Sequence, residues 1–219
     1  MVVSSDLMFA VGIVAVGFFL VVLVGPLVVH SRLRRVRTPT KPDQRHLDDL
    51  IEGTILHVDR IRVVETVGES SVEVSVRGPP GHRVLFVTDF VLSELNESTA
   101  RALVAAEAGR QAVWYDEYRA LSATAAVVLG AAWFGGILEY SAGLAALGAV
   151  ALVLLAGGRW LQFRADAHAA NAIGAEEVAD AFETVATMHG TSLEAPGWRG
   201  YFEVQPPLWS RIQRLRERS

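Results

Sequence analysis

The chain has 219 residues, of which 51% are hydrophobic, with a formal net charge of -4 and a mean hydropathy of +0.32. This hydropathy argues against an ordinary soluble domain, and the mildly acidic balance argues against nucleic acid as a partner. The chain contains no cysteine, which excludes disulfide bonds and thiolate metal sites.

The first predicted element is a membrane span at residues 7–29, "LMFAVGIVAVGFFLVVLVGPLVV". It carries no charge and is long enough to cross a hydrocarbon core of about 30 Å. A cleaved signal peptide is the alternative, but the apolar run is too long and no positively charged segment precedes it. Arginines cluster directly after the run, so we expect the N-terminus outside and the next segment in the cytoplasm.

The cytoplasmic segment that follows is predicted to contain a β-hairpin and then a long helix. After the polar linker "TPTKPDQ" and a short helix beginning in "RHLDDLIEG", the stretch "SVEVSVR" alternates apolar and polar residues, as a half-buried strand does. "GPPG" predicts a turn and "RVLFVTD" the second strand. Asn96 is a candidate cap for a helix that begins at Glu97 and continues to about Tyr118 and into the membrane.

A second apolar block, residues 121–157, is too long for one span and predicts two, with "EYSAG" (139–143) as the turn. Arg119 precedes the block, and Arg159 and Arg164 follow it, which puts both ends of this hairpin in the cytoplasm. The block is dense in alanine and glycine, which suits close helix packing in lipid.

The C-terminal part is predicted to be helical. Residues 161–189 have helical periodicity, residues 190–200 a loop composition, and "PPLWSRIQRLRERS" predicts a short basic helix. That helix either packs its apolar side against the domain and leaves its arginines in water, which we expect, or lies on anionic lipid.

The order of these parts resembles the HtpX-like membrane zinc metallopeptidases, relatives of the CAAX prenyl proteases. Three stretches carry the resemblance: "VLFVTDFVLSELNESTARALVAAEAGR" resembles the family's strand, loop and H-E-x-x-H helix, "QFRADAHAANAIG" its E-x-x-A-D segment, and "QPPLWSRIQRL" its late H-P-P…R-I-x-x-L element. The N-terminal part departs from the family, because it offers one span where HtpX has two.

The resemblance implies an α+β membrane protein with three transmembrane helices and a mostly helical cytoplasmic metallopeptidase-like domain that carries a small β-sheet. The expected divisions are an N-terminal anchor (1–37), a cytoplasmic β segment with the zinc-helix equivalent (38–120), a transmembrane hairpin (121–158) and a C-terminal helical part (159–219).

The resemblance also implies a zinc site, and this chain departs from it at every ligand position. The two histidine positions of H-E-x-x-H hold Ala106 and Arg110, and the third ligand position holds Gln162. The family's general base is retained as Glu107 and the aspartate of A-D as Asp166. An alanine methyl cannot bind zinc and a guanidinium has no lone pair, so we expect no metal here although zinc is the family's cofactor.

Two further positions bear on the lost metal site. The histidine of the late H-P-P element is replaced by Gln205. The candidates to rebuild a metal site are His168, Asp166, Glu107 and His189, but Asp166 and His168 are two residues apart and do not share a helix face.

The substitution at Arg110 suggests a charge replacement. Arg110 lies three residues after Glu107, within reach for an ion pair, and can also reach Asp166 across the former cleft. Its cation would then stand where the zinc charge stood. The alternative, equally weighted, is two independent solvated charges.

The leading functional hypothesis is a pseudo-protease, an inactive membrane homologue that binds membrane proteins or an active paralogous protease. The alternatives are an active zinc metalloendopeptidase with divergent ligands and a structural membrane assembly protein. The strands at residues 72–87 offer an edge to an extended peptide, unless that edge is covered. Besides the lipid bilayer, the expected partners are therefore proteins, in the plasma membrane of a bacterium or an archaeon.

Overall fold

The computed structural model describes residues 5–66, 71–137, 139–190 and 205–219. Most of the predicted loop at 190–200 lies outside these residues. The described chain is mostly helical with one small sheet. Its elements are α1 (Ser5–Leu33), β1 (Val36–Arg37), α2 (Lys41–Ile51), β2 (Arg60–Val64), β3 (Val74–Arg77), β4 (Val84–Thr88), α3 (Asp89–Ser93), α4 (Glu97–Ala112), α5 (Tyr115–Phe134), α6 (Tyr140–Ile173), α7 (Ala175–Met188) and α8 (Leu208–Arg216).

The sheet has the strand order β1-β2-β4-β3. The predicted hairpin is confirmed: β3 and β4 are antiparallel, with Val76 opposite Leu85. In the turn between them Gly78 and Gly81 have φ values of 110° and 81°, a left-handed backbone that glycine adopts without a steric penalty. The strand β2 adds a parallel partner to β4, and β1 closes the other edge antiparallel to β2.

One face of the sheet packs on α2 and α4 and forms the main core. Leu47 and Leu50 of α2, Val87 of β4 and Val104 of α4 are fully buried there. Each such aliphatic side chain contributes about 1.5–3 kcal/mol when it leaves water. This burial fixes α4 beneath the sheet.

The start of α2 is fixed by a capping box. The Thr40 hydroxyl accepts from the Asp43 backbone N–H, and the Asp43 carboxylate accepts from the Thr40 backbone N–H at 2.9 Å. Arg37 also pairs with Asp43, and this hydrogen bond holds the pKa of the Asp43 carboxyl below its usual range. The cap turns the chain directly from β1 into α2.

Two helices of the described chain are long and apolar enough to cross a membrane: residues Val11–Arg32 of α1, and α6. Three spans are predicted from the sequence, and α5 would be the third. The uncharged part of α5 is short, because it begins after Arg119 and the helix ends at Phe134. The apolar character of the chain is confirmed, whereas the third span stays a prediction.

The predicted turn of the apolar hairpin is misplaced. The sequence places this turn at residues 139–143, but α6 begins at Tyr140, and α5 ends at Phe134, followed by Gly135 and by Gly136 with φ 70°. A glycine pair ends a helix more readily than "EYSAG" does, because glycine accepts a left-handed backbone.

Two predicted continuous helices are broken. The helix from Glu97 was expected to reach Tyr118, but α4 ends at Ala112 and Trp114 adopts φ 56° before α5 begins. The helix over 161–189 is interrupted at Gly174, so α6 and α7 are separate. Because of these two breaks, α5, α6 and α7 are separate helices, and each of the three contacts α4.

Candidate functional site

The helices α4 and α6 approach each other closely at the level of the three residues that the sequence resemblance aligns with the family's metal ligands, Ala106, Arg110 and Gln162. Asn96 caps α4 by accepting from the Thr99 N–H at 2.7 Å. One turn before its end, Gly109 faces α6, and a Cβ there would overlap the backbone carbonyl oxygen of Ala165. This close approach brings side chains of α4 within hydrogen-bonding distance of α6.

Glu107 is buried between α4 and the sheet, with 7% of its surface exposed. Its Oε1 accepts from Nη1 of Arg110 at 2.8 Å, so the predicted pair at i and i+3 is present. Its Oε2 accepts from the backbone N–H of Val76 in β3 at 3.4 Å. Both carboxylate oxygens therefore have partners.

Arg110 extends from Glu107 to α6. Its Nε donates to Oε1 of Gln162 at 3.2 Å, and its guanidinium lies 5.1 Å from the centre of the Tyr115 ring. Burial alone would lower the pKa of Arg110, but the charge of Glu107 and the hydrogen bond to it outweigh burial and raise that pKa. Arg110 is thus a fixed cation at the second histidine position.

The expected direct contact between Arg110 and Asp166 is replaced by an indirect one. Gln162 lies between the two, and its Nε2 donates to Oδ1 of Asp166 at 3.1 Å. Gln162 is 1% exposed. A neutral amide both accepts and donates, which allows Gln162 to connect a cation to an anion where a carboxylate could not.

Asp166 forms its ion pair with Arg211 of α8. Nε and Nη2 of Arg211 donate to the two carboxylate oxygens at 2.8 and 2.6 Å. The guanidinium also lies 4.4 Å from the centre of the Phe182 ring. The basic pattern of the last helix predicts that its arginines lie in water, so this role of Arg211 was not predicted, although the R-I-x-x-L stretch of the resemblance includes Arg211.

These side chains form one connected group, here called the cleft network, which joins α4, α6 and α8. Its two carboxylates face two guanidinium groups, so it is balanced in charge without any bound ion. Its members are Glu107, Arg110, Gln162, Asp166 and Arg211.

The residues that the sequence resemblance aligns with the family's metal ligands do not fit a zinc ion. Ala106 offers only a methyl group, Arg110 offers a positive charge, and the Gln162 amide oxygen already accepts from Arg110. Among the described residues, no three His, Asp or Glu side chains are grouped closely enough to hold a metal. The candidates to rebuild the site do not converge, since His168 is half-buried on α6 and His189 is exposed at the end of α7.

The outer edge of β3 borders the cleft network. There Val76 donates its N–H to Glu107, and its carbonyl oxygen accepts from Nη1 of Arg77 at 3.2 Å. Of the two alternatives for this edge, open or covered, the contacts at Val76 favour the covered one, because side chains of the same chain bond its backbone groups.

A groove of about 740 Å³ lies away from the cleft network, between α2, β2 and the break that separates α4 from α5. Its lining is mixed, with Asp48, Arg60, Arg62 and the exposed Trp114 among apolar residues, and it includes no member of the cleft network.

Comparison with known proteins supports the fold. No family model and no curated protein matches the chain. Among solved structures, the crystal structure of Ste24p from S. mikatae matches with a TM-score of 0.68 at 13% sequence identity, over 97% of this chain and 58% of Ste24p. The chain thus spans little more than half the length of Ste24p and shares the fold of the part that it matches, which confirms the expected fold at this coarse level.

Proposed function

We propose that this protein is a non-catalytic membrane homologue of the Ste24p-like metallopeptidases and that it works by binding other membrane proteins. The observation that carries the proposal is the set of contacts made by the Arg110 side chain. It occupies the second histidine position and bonds both the retained Glu107 and the substituted third ligand, Gln162.

The chemistry of peptide hydrolysis requires what these residues lack. A zinc ion lowers the pKa of its bound water to about 7, and a free carboxylate then takes the proton. Here Glu107 is engaged by Arg110 and Val76, and a divalent cation would meet the repulsion of the half-buried Arg110 guanidinium. The retained Glu107 therefore acts as a structural anion.

The proposal includes a membrane arrangement. We infer three spans, α1, α5 and α6, with the N-terminus outside and the sheet in the cytoplasm, because arginines follow α1 and flank the α5–α6 hairpin. Tyr118 supports the pairing of α5 with α6, since its hydroxyl donates to the Leu154 carbonyl oxygen at 2.7 Å. The proposed partners are the bilayer and either membrane-protein clients or an active paralogous protease.

The deciding experiment is metal analysis of the purified protein in detergent, after incubation with zinc and desalting. We expect less than about 0.1 zinc per chain, together with no cleavage of casein. Near-stoichiometric zinc in the wild-type protein, lost in Glu107→Ala, would overturn the proposal in favour of an active metalloendopeptidase with divergent ligands.

A rebuilt variant provides the matched control. The triple substitution Ala106→His, Arg110→His and Gln162→Glu restores the family's ligand set on the same helices. We expect it to bind about one zinc per chain in the same assay, which shows that the fold can hold the metal and that the substitutions prevent it.

A further inference from the structure

The register of β3 determines which of its backbone groups face outward. Thr88 donates its N–H to the Glu73 carbonyl oxygen, so Glu73, and with it Ser75 and Arg77, direct their backbone groups to β4. The backbone groups of Val74 and Val76 therefore point to the outer edge. An extended polypeptide that joined the sheet at this edge would need those groups free.

Side chains close this edge at Val76. Glu107 accepts from the Val76 N–H, and Arg77 donates to the Val76 carbonyl oxygen. Both backbone polar groups of Val76 thereby have side-chain partners. Because Val76 has a single N–H, a polypeptide could accept from it only by displacing Glu107, and Arg77 already occupies one acceptor site of the carbonyl oxygen.

Arg110 holds Glu107 in this position. It binds Oε1 and is itself held by Gln162, which leaves Oε2 directed at Val76. The carboxylate cannot rotate away without breaking the ion pair at 2.8 Å.

We propose that Glu107, held by Arg110, is an autoinhibitory cap that closes the outer edge of β3 to extended polypeptide. The proposal deepens the proposed function, because it assigns a role to the retained glutamate and specifies when the protein can bind an extended chain. Open strand edges also promote association between copies of a protein, and the cap suppresses that association.

Amide hydrogen exchange of Val76 tests the cap directly. In detergent, we expect Val76 to exchange about ten-fold faster in Glu107→Ala than in wild type, whereas Glu107→Gln, which keeps an acceptor oxygen, stays within about three-fold. Glu97→Ala is the matched control, since Glu97 lies on the same helix with its side chain 65% exposed. Equal exchange at Val76 in wild type and Glu107→Ala would overturn the proposal.

The loss of Glu107 leaves Arg110 without its anion, which endangers folding. The double variant Glu107→Ala/Arg110→Ala removes both charges. Its amide exchange at Val76 is compared with that of the single variant Arg110→Ala. Faster exchange at Val76 in the double variant supports the cap, and unchanged exchange in a folded double variant contradicts it.

Binding of an extended chain is the functional test. With fluorescein-labelled β-casein as the probe, anisotropy is expected to show about ten-fold tighter binding by Glu107→Ala than by wild type or Glu97→Ala. Equal affinities would show that the edge is not closed by Glu107. Zinc content is measured separately, so zinc in the wild type would overturn the proposed function while the exchange at Val76 still decides the cap.

Discussion

The Arg110 side chain connects α4 to α6, because it bonds Glu107 on its own helix and Gln162 on the neighbouring one. The spacing to Glu107 made the ion pair predictable, because residues three apart share a helix face. The connection to Asp166 through Gln162 was not predictable, since it depends on the side-chain rotamers of a second helix. Arg211 was missed for the same reason: it is 45 residues from Asp166 in sequence, and local periodicity cannot show which arginine of a basic helix faces inward.

Replacement of Arg110 is expected to destabilise the protein. Arg110→Ala leaves the Glu107 carboxylate buried without its cation, at a cost of about 2–4 kcal/mol. We expect the unfolding midpoint in detergent to fall by roughly 5–10 °C. The double variant Glu107→Ala/Arg110→Ala should recover part of the loss, and an unchanged midpoint in the single variant would refute the charge-replacement interpretation.

Replacement of Arg211 tests the other end of the cleft network. Arg211→Ala removes a bidentate partner from Asp166, which is 3% exposed, and is expected to lower the midpoint by a similar amount. Arg218→Ala, an exposed arginine two residues beyond α8, is the matched control and should change it by less than about 1 °C. If Arg211→Ala and Arg218→Ala have the same unfolding midpoint, the ion pair to Asp166 contributes nothing to stability.

Helix pairing depends on single glycines that local sequence patterns do not distinguish. Apolar periodicity predicted α4, α6 and α7, and the small residues predicted close packing. It did not predict the breaks at Trp114 and Gly174, where φ is 56° and 105°. Hydrophobic spacing carries no information on such backbone angles. Nor did it single out Gly109 among nineteen glycines as the point where α4 contacts the backbone of α6.

The substitution Gly109→Ala is expected to separate α4 from α6. A Cβ there overlaps the backbone of Ala165, which cannot rotate away, so we expect a loss of about 1–3 kcal/mol despite the higher helix propensity of alanine. Thermal unfolding in detergent measures it. Gly130→Ala in α5 is the control, because a Cβ at Gly130 meets nothing within 4 Å, and its midpoint should not fall.

At the scale of the whole molecule, α1 is tied to the sheet by a charged cluster. His30 and Arg34, at the end of α1, both bind Glu73, next to β3, and the His30 ring lies 5.5 Å from the Phe86 ring. The sequence predicted the apolar helix and the hairpin separately. It could not predict this contact or the parallel pairing of β2 with β4, because neither leaves a periodic signal in one segment.

This cluster makes stability depend on pH. Burial would raise the pKa of Glu73, but the hydrogen bonds from Arg34 and His30 outweigh burial and lower it. A carboxyl whose pKa is lower in the folded state stabilises the fold above its unfolded pKa, about 4.3, and that stabilisation is lost as the pH falls through the folded value.

We therefore expect the unfolding midpoint of the wild type to fall between pH 6 and pH 3, and to fall less in Glu73→Gln. The variant should already be less stable at pH 6, and it retains the share of the acid sensitivity due to Asp43 and Asp89, whose pKa values are also lowered. Parallel pH profiles for the two proteins would show that Glu73 does not couple α1 to the sheet.

The balanced charges of the cleft network have a consequence for biosynthesis. A zinc enzyme whose ligands come from separate helices completes its fold only when the ion arrives, and so competes for zinc with every other apoprotein in the cell. In this chain, the cations are side chains of the polypeptide itself. Arg110 and Arg211 therefore neutralise Glu107 and Asp166 as soon as the helices pack together. If the protein functions without zinc, as proposed, we expect its maturation not to depend on the cell's zinc supply, so that it should accumulate equally in zinc-starved and zinc-replete cells.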